Sequence, residues 1–515
     1  MNKRTILLAA ASLSAFTTSL LATDYTTTVK ANSGQSVALQ HGDTITTSGV
    51  AIRANGGEVT LDNFESAISI TMDASSSAFA INAQNNGSVN LGTGSTITSN
   101  RNGLSVSSES TFTASNLSLT VNQPEGGGNI NTILIADGSV VDLGTDSDIL
   151  VQISDSASAS DSIRGLNASN ATFTATDGFT LRILAAEDSA SSIIGVNAAL
   201  NSEINLGTNA LIEAQTALTS QTGSTITASN AVIRGTGNNG IGIRVGAGGN
   251  ANLIDSTVSG TANALVVAAS SSYAEPSGTI TISGGSLHSE SGSVILAQHN
   301  GEHANAVSST VVLKDGASAS SQNGVLFASE GNPTAESTFD LVITGKNTQA
   351  IGFEDGTSLL SHLTVSDQAT WQSCGSSTID TLTLNNANID LALNSVGERI
   401  NVEKLEVSGS NNVDIQLSNA FLLELLESGL PQLLDFSILA GEFDLNGSIV
   451  YNLSNGNADG STWDITDLGN GQFLIDNIQV IPEPSQTAML LGTAFILSFA
   501  WQRRRQQKKC AAQQQ

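Results

Sequence analysis

The sequence predicts an all-β chain, a right-handed parallel β-helix closed by a short C-terminal cap, and three observations carry that expectation. Apolar residues alternate with polar or small ones in short runs along most of the chain, the period of a strand with one buried face. Related segments recur in a fixed order through residues 85 to 235, which marks a stack of like units. Aromatic residues make up only 4% of the chain against 49 glycines, a composition suited to a thin core that needs a few aliphatic side chains per layer.

The repeat has three parts. Val89-Asn90-Leu91-Gly92-Thr93 returns as Val141-Asp142-Leu143-Gly144-Thr145 and as Ile204-Asn205-Leu206-Gly207-Thr208. Ser110-Thr111-Phe112-Thr113-Ala114-Ser115-Asn116 is echoed from Ala171 to Asp177 and from Ser224 to Asn230. Between them lie Gly103-Leu104-Ser105-Val106, Gly165-Leu166-Asn167-Ala168 and Ala217-Leu218-Thr219-Ser220. The strands are short and are separated by Gly, Asn, Asp and Ser, which tolerate tight turns. Rungs of roughly 20 residues follow, and residues 24 to 418 would supply roughly 18 to 20 coils in a rod on the order of 90 Å long. In this reading Leu143 points inward and Asp142 outward. The rival all-β fold, a sandwich or a tandem of sandwiches, would pack around more aromatic bulk than segments such as Gly240-Ile241-Gly242-Ile243 offer.

Residues 419 to 480 read differently. Phe421, Leu422, Leu423, Leu425 and Leu426 crowd one run, with Glu424 and Glu427 opposite and Gly429-x-Pro431 as the stop, the pattern of a two-turn amphipathic helix. Such a helix would cover the open end of a solenoid, whose last coil exposes unpaired backbone. Strands are expected at Phe443 to Leu445, Ile449 to Leu453 and Phe473 to Ile478, with Trp463 as a core anchor.

Both ends carry targeting patterns. Lys3 and Arg4 precede an apolar run beginning at Ile6, small residues continue to Ala22, and the first acid is Asp24; residues 1 to 22 are expected to be a signal peptide. At the other end, Ile481-Pro482-Glu483-Pro484-Ser485 is followed by an uncharged run from Ala488 to Trp501 and then by Arg503, Arg504, Arg505, Lys508 and Lys509. The two prolines keep their strip extended, the run predicts one C-terminal transmembrane helix, and the basic cluster predicts a cytoplasmic tail. This order in residues 481 to 515 resembles the PEP-CTERM sorting signal of Gram-negative exported proteins, and Pro482, Glu483 and Pro484 match its triplet. The resemblance implies recognition by an exosortase, a membrane transpeptidase-like enzyme, with sorting linked to exopolysaccharide production. The repeats over most of residues 24 to 418 resemble autotransporter passenger regions and related β-helical exported proteins, although the C-terminus lacks room for the strands of an outer-membrane barrel.

All 46 acidic residues lie between Asp24 and Glu483, while seven of the 18 basic ones sit at the two ends, leaving −35 on the stretch between. So acidic a surface repels phosphate backbones, which argues against nucleic-acid partners. Cys374 and Cys510 would lie on opposite sides of the membrane, so no intrachain disulfide is expected.

No catalytic, cofactor or metal site is expected. Glycoside hydrolysis needs two carboxylates on one site, and the acid cluster Glu354-Asp355 precedes a glycine turn. Arg234 and Arg244 read as solvated side chains. Among the histidines (His41, His288, His299, His303 and His362), His299-x-x-Glu302-His303 has near-helical metal spacing but lies between strands, where both rings do not share a helical face. Gly235-Thr236-Gly237-Asn238-Asn239-Gly240 spells a dinucleotide-binding pattern but leads into a strand, with no helix N-terminus for a pyrophosphate. The expected function is therefore a non-catalytic exported envelope or matrix rod, with a surface-glycan adhesin and a β-helical polysaccharide lyase or glycosidase as alternatives.

Overall fold

One coil of the middle region shows how the alternation becomes structure. Strands β1 (Val140–Asp142), β2 (Asp148–Gln152) and β3 (Ser162–Ser169) bury every second side chain over most of their length, and Val141, Leu143, Ile149, Val151, Leu166 and Ala168 are wholly enclosed. Each strand pairs in parallel with its counterparts in the coils on either side, as Val141 does with Phe112 and Phe173. Three strands per coil give three faces, called here first, second and third. The computed structural model describes residues 22–479 apart from 62–66, 74–77, 124–127, 155–159, 185–191, 247, 271–277, 301–307, 331–337, 355–359, 455 and 457–460. The expected signal peptide up to residue 21, the Pro482–Ser485 motif, the apolar run and Arg503, Arg504 and Arg505 lie outside the described residues.

The chain is thus a parallel β-helix, but with longer and fewer coils than the repeat implied. Val89, Phe112, Val141, Phe173, Ile204 and Ile226 lie in one continuous ladder. The Val-x-Leu-Gly-Thr segment and the Thr-x-Thr-Ala segment are therefore the same first-face strand in alternate coils, and the sequence repeat spans two coils. Measured along the first face, successive coils take 22 to 32 residues up to Leu363, because the corners accept extra residues without disturbing the ladders. The first face carries about 16 strands, a stack of roughly 70 Å at about 4.8 Å per coil.

The alternate coils turn differently after the first face. In one type the side chain of Asn90, Asp142 or Asn205 accepts the N–H of the glycine two residues on. Gly207 has φ +70°, and a Cβ there would overlap the Thr176 and Ala175 carbonyls, so only glycine fits. In both types an Asn or Asp then occupies the left-handed region, Asp146 and Asn209 in the first and Asn116 and Asn230 in the second, as Asn does most readily among residues with a Cβ.

Serine supplies what the apolar ladders cannot. Ser110, Ser139, Ser147, Ser202, Ser224 and Ser256 are all buried at the corners. Each hydroxyl oxygen accepts a backbone N–H from the coil before it, as Ser202 does from Ala171 at 3.3 Å and Ser224 from Ser202 at 3.0 Å. Ser147 and Ser202 also donate to carbonyls of their own coil, Leu143 at 2.8 Å and Ala199 at 2.6 Å. Corner amides that leave the ladder would otherwise be buried without partners, a costly state.

The third face ends early. It runs through 13 strands to β4 (Phe353–Glu354), after which the coils close on two faces. The indole of Trp371 fills the space, its N–H donating to the Gly352 carbonyl at 3.0 Å, and the buried Glu354 carboxylate accepts the Thr378 N–H at 3.0 Å. Beyond, β5 (Ile400–Leu417) runs through both remaining faces in one strand, which is why they join in a single 31-stranded sheet.

Helix α1 (Asn419–Ser428) follows, with the Ser418 hydroxyl accepting the Phe421 N–H and Gly429 at the C-cap. Its pitch sorts the leucine-rich run: Phe421, Leu422 and Leu425 are buried, whereas Leu423 and Leu426 are exposed and do not join them as expected. After α1 come β6 (Gln432–Asp435), β7 (Leu439–Leu453), β8 (Thr462–Gly469) and β9 (Gln472–Gln479). β7 is one strand where two were expected, and it pairs in parallel with β5. β6, β9 and β8 form a separate antiparallel sheet, where Trp463, Phe473 and Ile475 are buried and Phe436 packs on both Phe421 and Phe473. No helix among the described residues is long and apolar enough to cross a membrane, and the span expected from 488 to 501 lies outside them.

Candidate functional surface

The outward positions of the two-faced coils carry a field of amides and carboxylates. On the second face Asn388 stacks on Asn412, and Asp390 stacks on Asp414, which stacks on Asn452. The Asn412 amide donates to Asn388 at 3.3 Å, and the Asn452 amide donates to the Asp414 carboxylate at 2.8 Å. In-register neighbours stand about 4.8 Å apart. Asp390 is half-buried, and that burial first, with the charge of Asp414 second, holds its carboxyl above the usual aspartate range.

At the corner beside this field lies an open groove of about 660 Å³ lined by Lys346, Asp367, Gln368, Asn386, Asn388, Ser410 and Asn412. Its corner residues Asp367, Gln368 and Asn386 all have positive φ, which turns their side chains onto one edge of the stack. Amides and hydroxyls at a repeat of one coil suit an extended ligand rich in hydroxyl groups, each amide offering a donor and an acceptor. The groove does not include Asp390 or Asp414. These two carboxylates stand in register on neighbouring strands of the sheet.

The first face of the same coils is charged. His362 Nδ1 lies 2.7 Å from the Asp340 carboxylate, and Lys404 Nζ lies 2.5 Å from Glu406, which also accepts from Thr383 at 3.1 Å. The hydrogen bond from Lys404 holds the Glu406 carboxyl below its ordinary range. Burial raises Asp380, assisted by Glu403.

The residues singled out from sequence are scattered. Arg234 is exposed and pairs with Glu213 of the preceding coil at 2.6 Å on the second face. Arg244 is on the third face, its guanidinium donating to Gln298 at 2.8 Å, with burial depressing its pKa. His41 accepts the Ala67 N–H at 3.1 Å, and His288 meets Ser320 at 3.2 Å. His299 lies in the strand Ile295–Asn300, while Glu302, His303 and Asp355 fall outside the described residues. No group of three metal-ligating side chains converges among the described residues. Gly235 ends one strand and Ile241 begins the next, so the glycine pattern there does lead into a strand. Cys374 is a free thiol near the Gly324 carbonyl, and burial raises its pKa.

The Asn-Asp field escaped the sequence reading although its signal is present. Asn388-x-Asp390 and Asn412-x-Asp414 repeat one two-faced coil apart, a spacing that has meaning only once the coil length is known. No protein-family model matches the chain, and no curated protein matches it either.

Proposed function

We propose that this is a non-catalytic exported protein of the cell envelope or extracellular matrix, a right-handed β-helical rod of autotransporter-passenger type delivered through a PEP-CTERM-like tail. The observation that carries this reading is a continuous solenoid, clad mainly in columns of short polar side chains, followed by Pro482-Glu483-Pro484-Ser485, an apolar run and Arg503 to Arg505 in that order. The winding is taken as right-handed from the general rule for parallel crossovers. An exosortase-like enzyme would process the tail, the membrane would hold the chain transiently through residues 488 to 501, and exopolysaccharide would be the neighbour of the mature rod. The test is mass spectrometry of the native exported protein: an N-terminus near Thr23 and a C-terminus near Ser485 are expected. A mature exported chain that keeps the peptide containing Cys510 would sink the processing step.

A second reading, glycan contact by the amide-lined groove, is favoured by Asn386, Asn388 and Asn412. Binding of the exported protein to a panel of neutral and acidic glycans, lost on Asn388→Ala with Asn412→Ala, separates it from a passive rod. Release of new reducing or unsaturated ends from the same panel, abolished by Asp390→Asn, would instead select the carbohydrate-active enzyme.

A further inference from the structure

The C-terminal end of the solenoid is open over half of its last coil. β7 is hydrogen-bonded to β5 along one edge and, among the described residues, to no strand along the other. Phe443 and Leu445 occupy inward ladder positions directly above Leu405 and Val407. The lower pair is 2% exposed and the upper pair 57% and 58%. Leu439 and Val450 are exposed on the same strand. The small sheet packs near Tyr451 and Leu453 and leaves the stretch from Leu439 to Val450 without a next rung.

We propose that residues 488 to 501 of this same chain form that rung, an antiparallel strand added to the free edge of β7 whenever the segment is not in lipid. Four observations converge. Met489, Leu491, Phe495, Leu497, Phe499 and Trp501 share one parity, while the other parity is mostly small, with Gly492, Ala494, Ser498 and Ala500. A strand burying one face requires that alternation, and a membrane helix does not. The length fits, since 14 residues of strand cover about 46 Å and β7 has 15 residues. The starting point fits as well: Gln479 pairs with Thr462, which bridges to Gly456 just past the end of β7. Residues 480 to 487 reach at most roughly 27 Å, enough to turn back along β7. Finally, the antiparallel course carries Arg503, Arg504 and Arg505 to the Leu439 end, beside the exposed acids Asp435, Glu403 and Glu442. No basic residue lies between Lys404 and Arg503.

The seat hides an uncharged apolar segment of the chain and closes a β edge that would otherwise recruit other chains. It concerns the soluble stage of the same segment and does not rest on the export reading. The test uses the full chain with Cys374→Ser, Cys510→Ser and Leu445→Cys, adding one cysteine at a time from residue 489 to residue 501. Oxidation is expected to give intramolecular cross-links centred on Phe495→Cys and Leu497→Cys, several-fold above Ala494→Cys, Ile496→Cys and Ser498→Cys. Equal yields at both parities, no intramolecular cross-link at any position, or cross-links only between two chains would overturn the proposal, the last pointing to a second copy on the edge. The unsubstituted chain gives an independent reading by hydrogen exchange. The β7 amides that do not bond to β5 are expected to be protected in detergent-free buffer and to lose that protection with phosphatidylcholine vesicles; fast exchange before vesicles are added overturns the strand. Failure here leaves the processing proposal standing, because that is read from the mature termini.

Discussion

The three-faced coils up to Phe353 and the two-faced coils after Leu363 are built from the same inward ladders and differ in almost everything else. Three-faced coils have corners that take additional residues, so their length along the first face varies from 22 to 32. The two-faced coils lose a side of the prism, and at the step between the two kinds Trp371 stands in the column that holds Ala319 and Ala350 in the coils below. The outer columns change along the rod, already carrying Arg182, Glu213 and Arg234 on the second face of three-faced coils. Thr44-x-Thr46, Ser69-x-Thr71, Thr96-x-Thr98 and Ser118-x-Thr120 stack as hydroxyls on the second face near the N-terminal end. The corresponding columns near the C-terminal end hold Asn388-x-Asp390 and Asn412-x-Asp414. The inner columns specify the fold and the outer ones are free to vary, so any specific recognition belongs to the coils whose outer columns have left the neutral pattern.

The largest test of this contrast lies in the three-faced region. Leu143 is fully enclosed, and Leu143→Asp is expected to cost on the order of 4–5 kcal/mol, the penalty of a buried unpaired carboxylate. Asp142→Asn on the outer side should leave the unfolding midpoint unchanged. Because each coil touches only its neighbours, hydrogen exchange should show the loss spreading from residues 111–184 and fading along the stack. An unaltered midpoint for Leu143→Asp would falsify the register. In the two-faced region Trp371→Ala should cost about 3–5 kcal/mol and free the Gly352 carbonyl. Its damage should concentrate where the third face ends, around Phe353 and Glu354. Uniform loss of protection along the whole rod would mean that the two regions are one cooperative unit.

Much of the inner structure was legible in the residues. Alternation at Val141-Asp142-Leu143 placed the ladder, the leucine-rich run placed α1, and Trp463 was recognised as core. The coil length was not legible, because two different turn chemistries on the same face made alternate coils look like separate elements. The Gly207 coil inserts a bulge before its corner and the Asn230 coil does not, and only the stacking of Ile204 on Ile226 in one ladder shows that the two segments are the same strand. Leu423 and Leu426 were grouped with their neighbours by composition, whereas the 100° step of the helix sends them outward. The outer field around Asp390 was missed because its residues are adjacent only through coils about 24 residues apart in sequence, a distance that no local motif spans.

The corner serines give a smaller and sharper test. Ser202→Ala removes an acceptor from the Ala171 N–H and a donor from the Ala199 carbonyl, and should cost about 1–3 kcal/mol through the amide left unpaired. Asn at a comparable corner already does this work in the two-faced coils, where the Asn411 side chain accepts the Ala387 N–H at 2.9 Å. Ser202→Thr should therefore retain more stability than Ser202→Ala if hydrogen bonding dominates over the fit of the corner. Equal midpoints for wild type and Ser202→Ala would show that the amide finds another partner.

The smallest effect separates the two regions by its sign. Asp177, on the three-faced coils, receives hydrogen bonds from Thr208 and Asn209 that hold its carboxyl below the ordinary range. Its contribution is present above the unfolded-state pKa and is lost as pH falls through the folded one. Asp390, on the two-faced coils, is raised by burial and by Asp414. Between its ordinary pKa and the raised one the folded state holds more protons, so stability falls as pH rises through that window and the penalty is complete above it. Like charges directly opposite on neighbouring strands cost about 0.2–1 kcal/mol. Asp390→Asn is expected to gain stability of that size at neutral pH, and the gain should fade as the pH drops toward the ordinary aspartate range. Denaturation midpoints of the two proteins across that range check it. A variant less stable than wild type at neutral pH would mean that the Asp390 carboxylate has a partner that compensates its charge, and the second face would then have to be read as a binding surface with Asp390 at its centre.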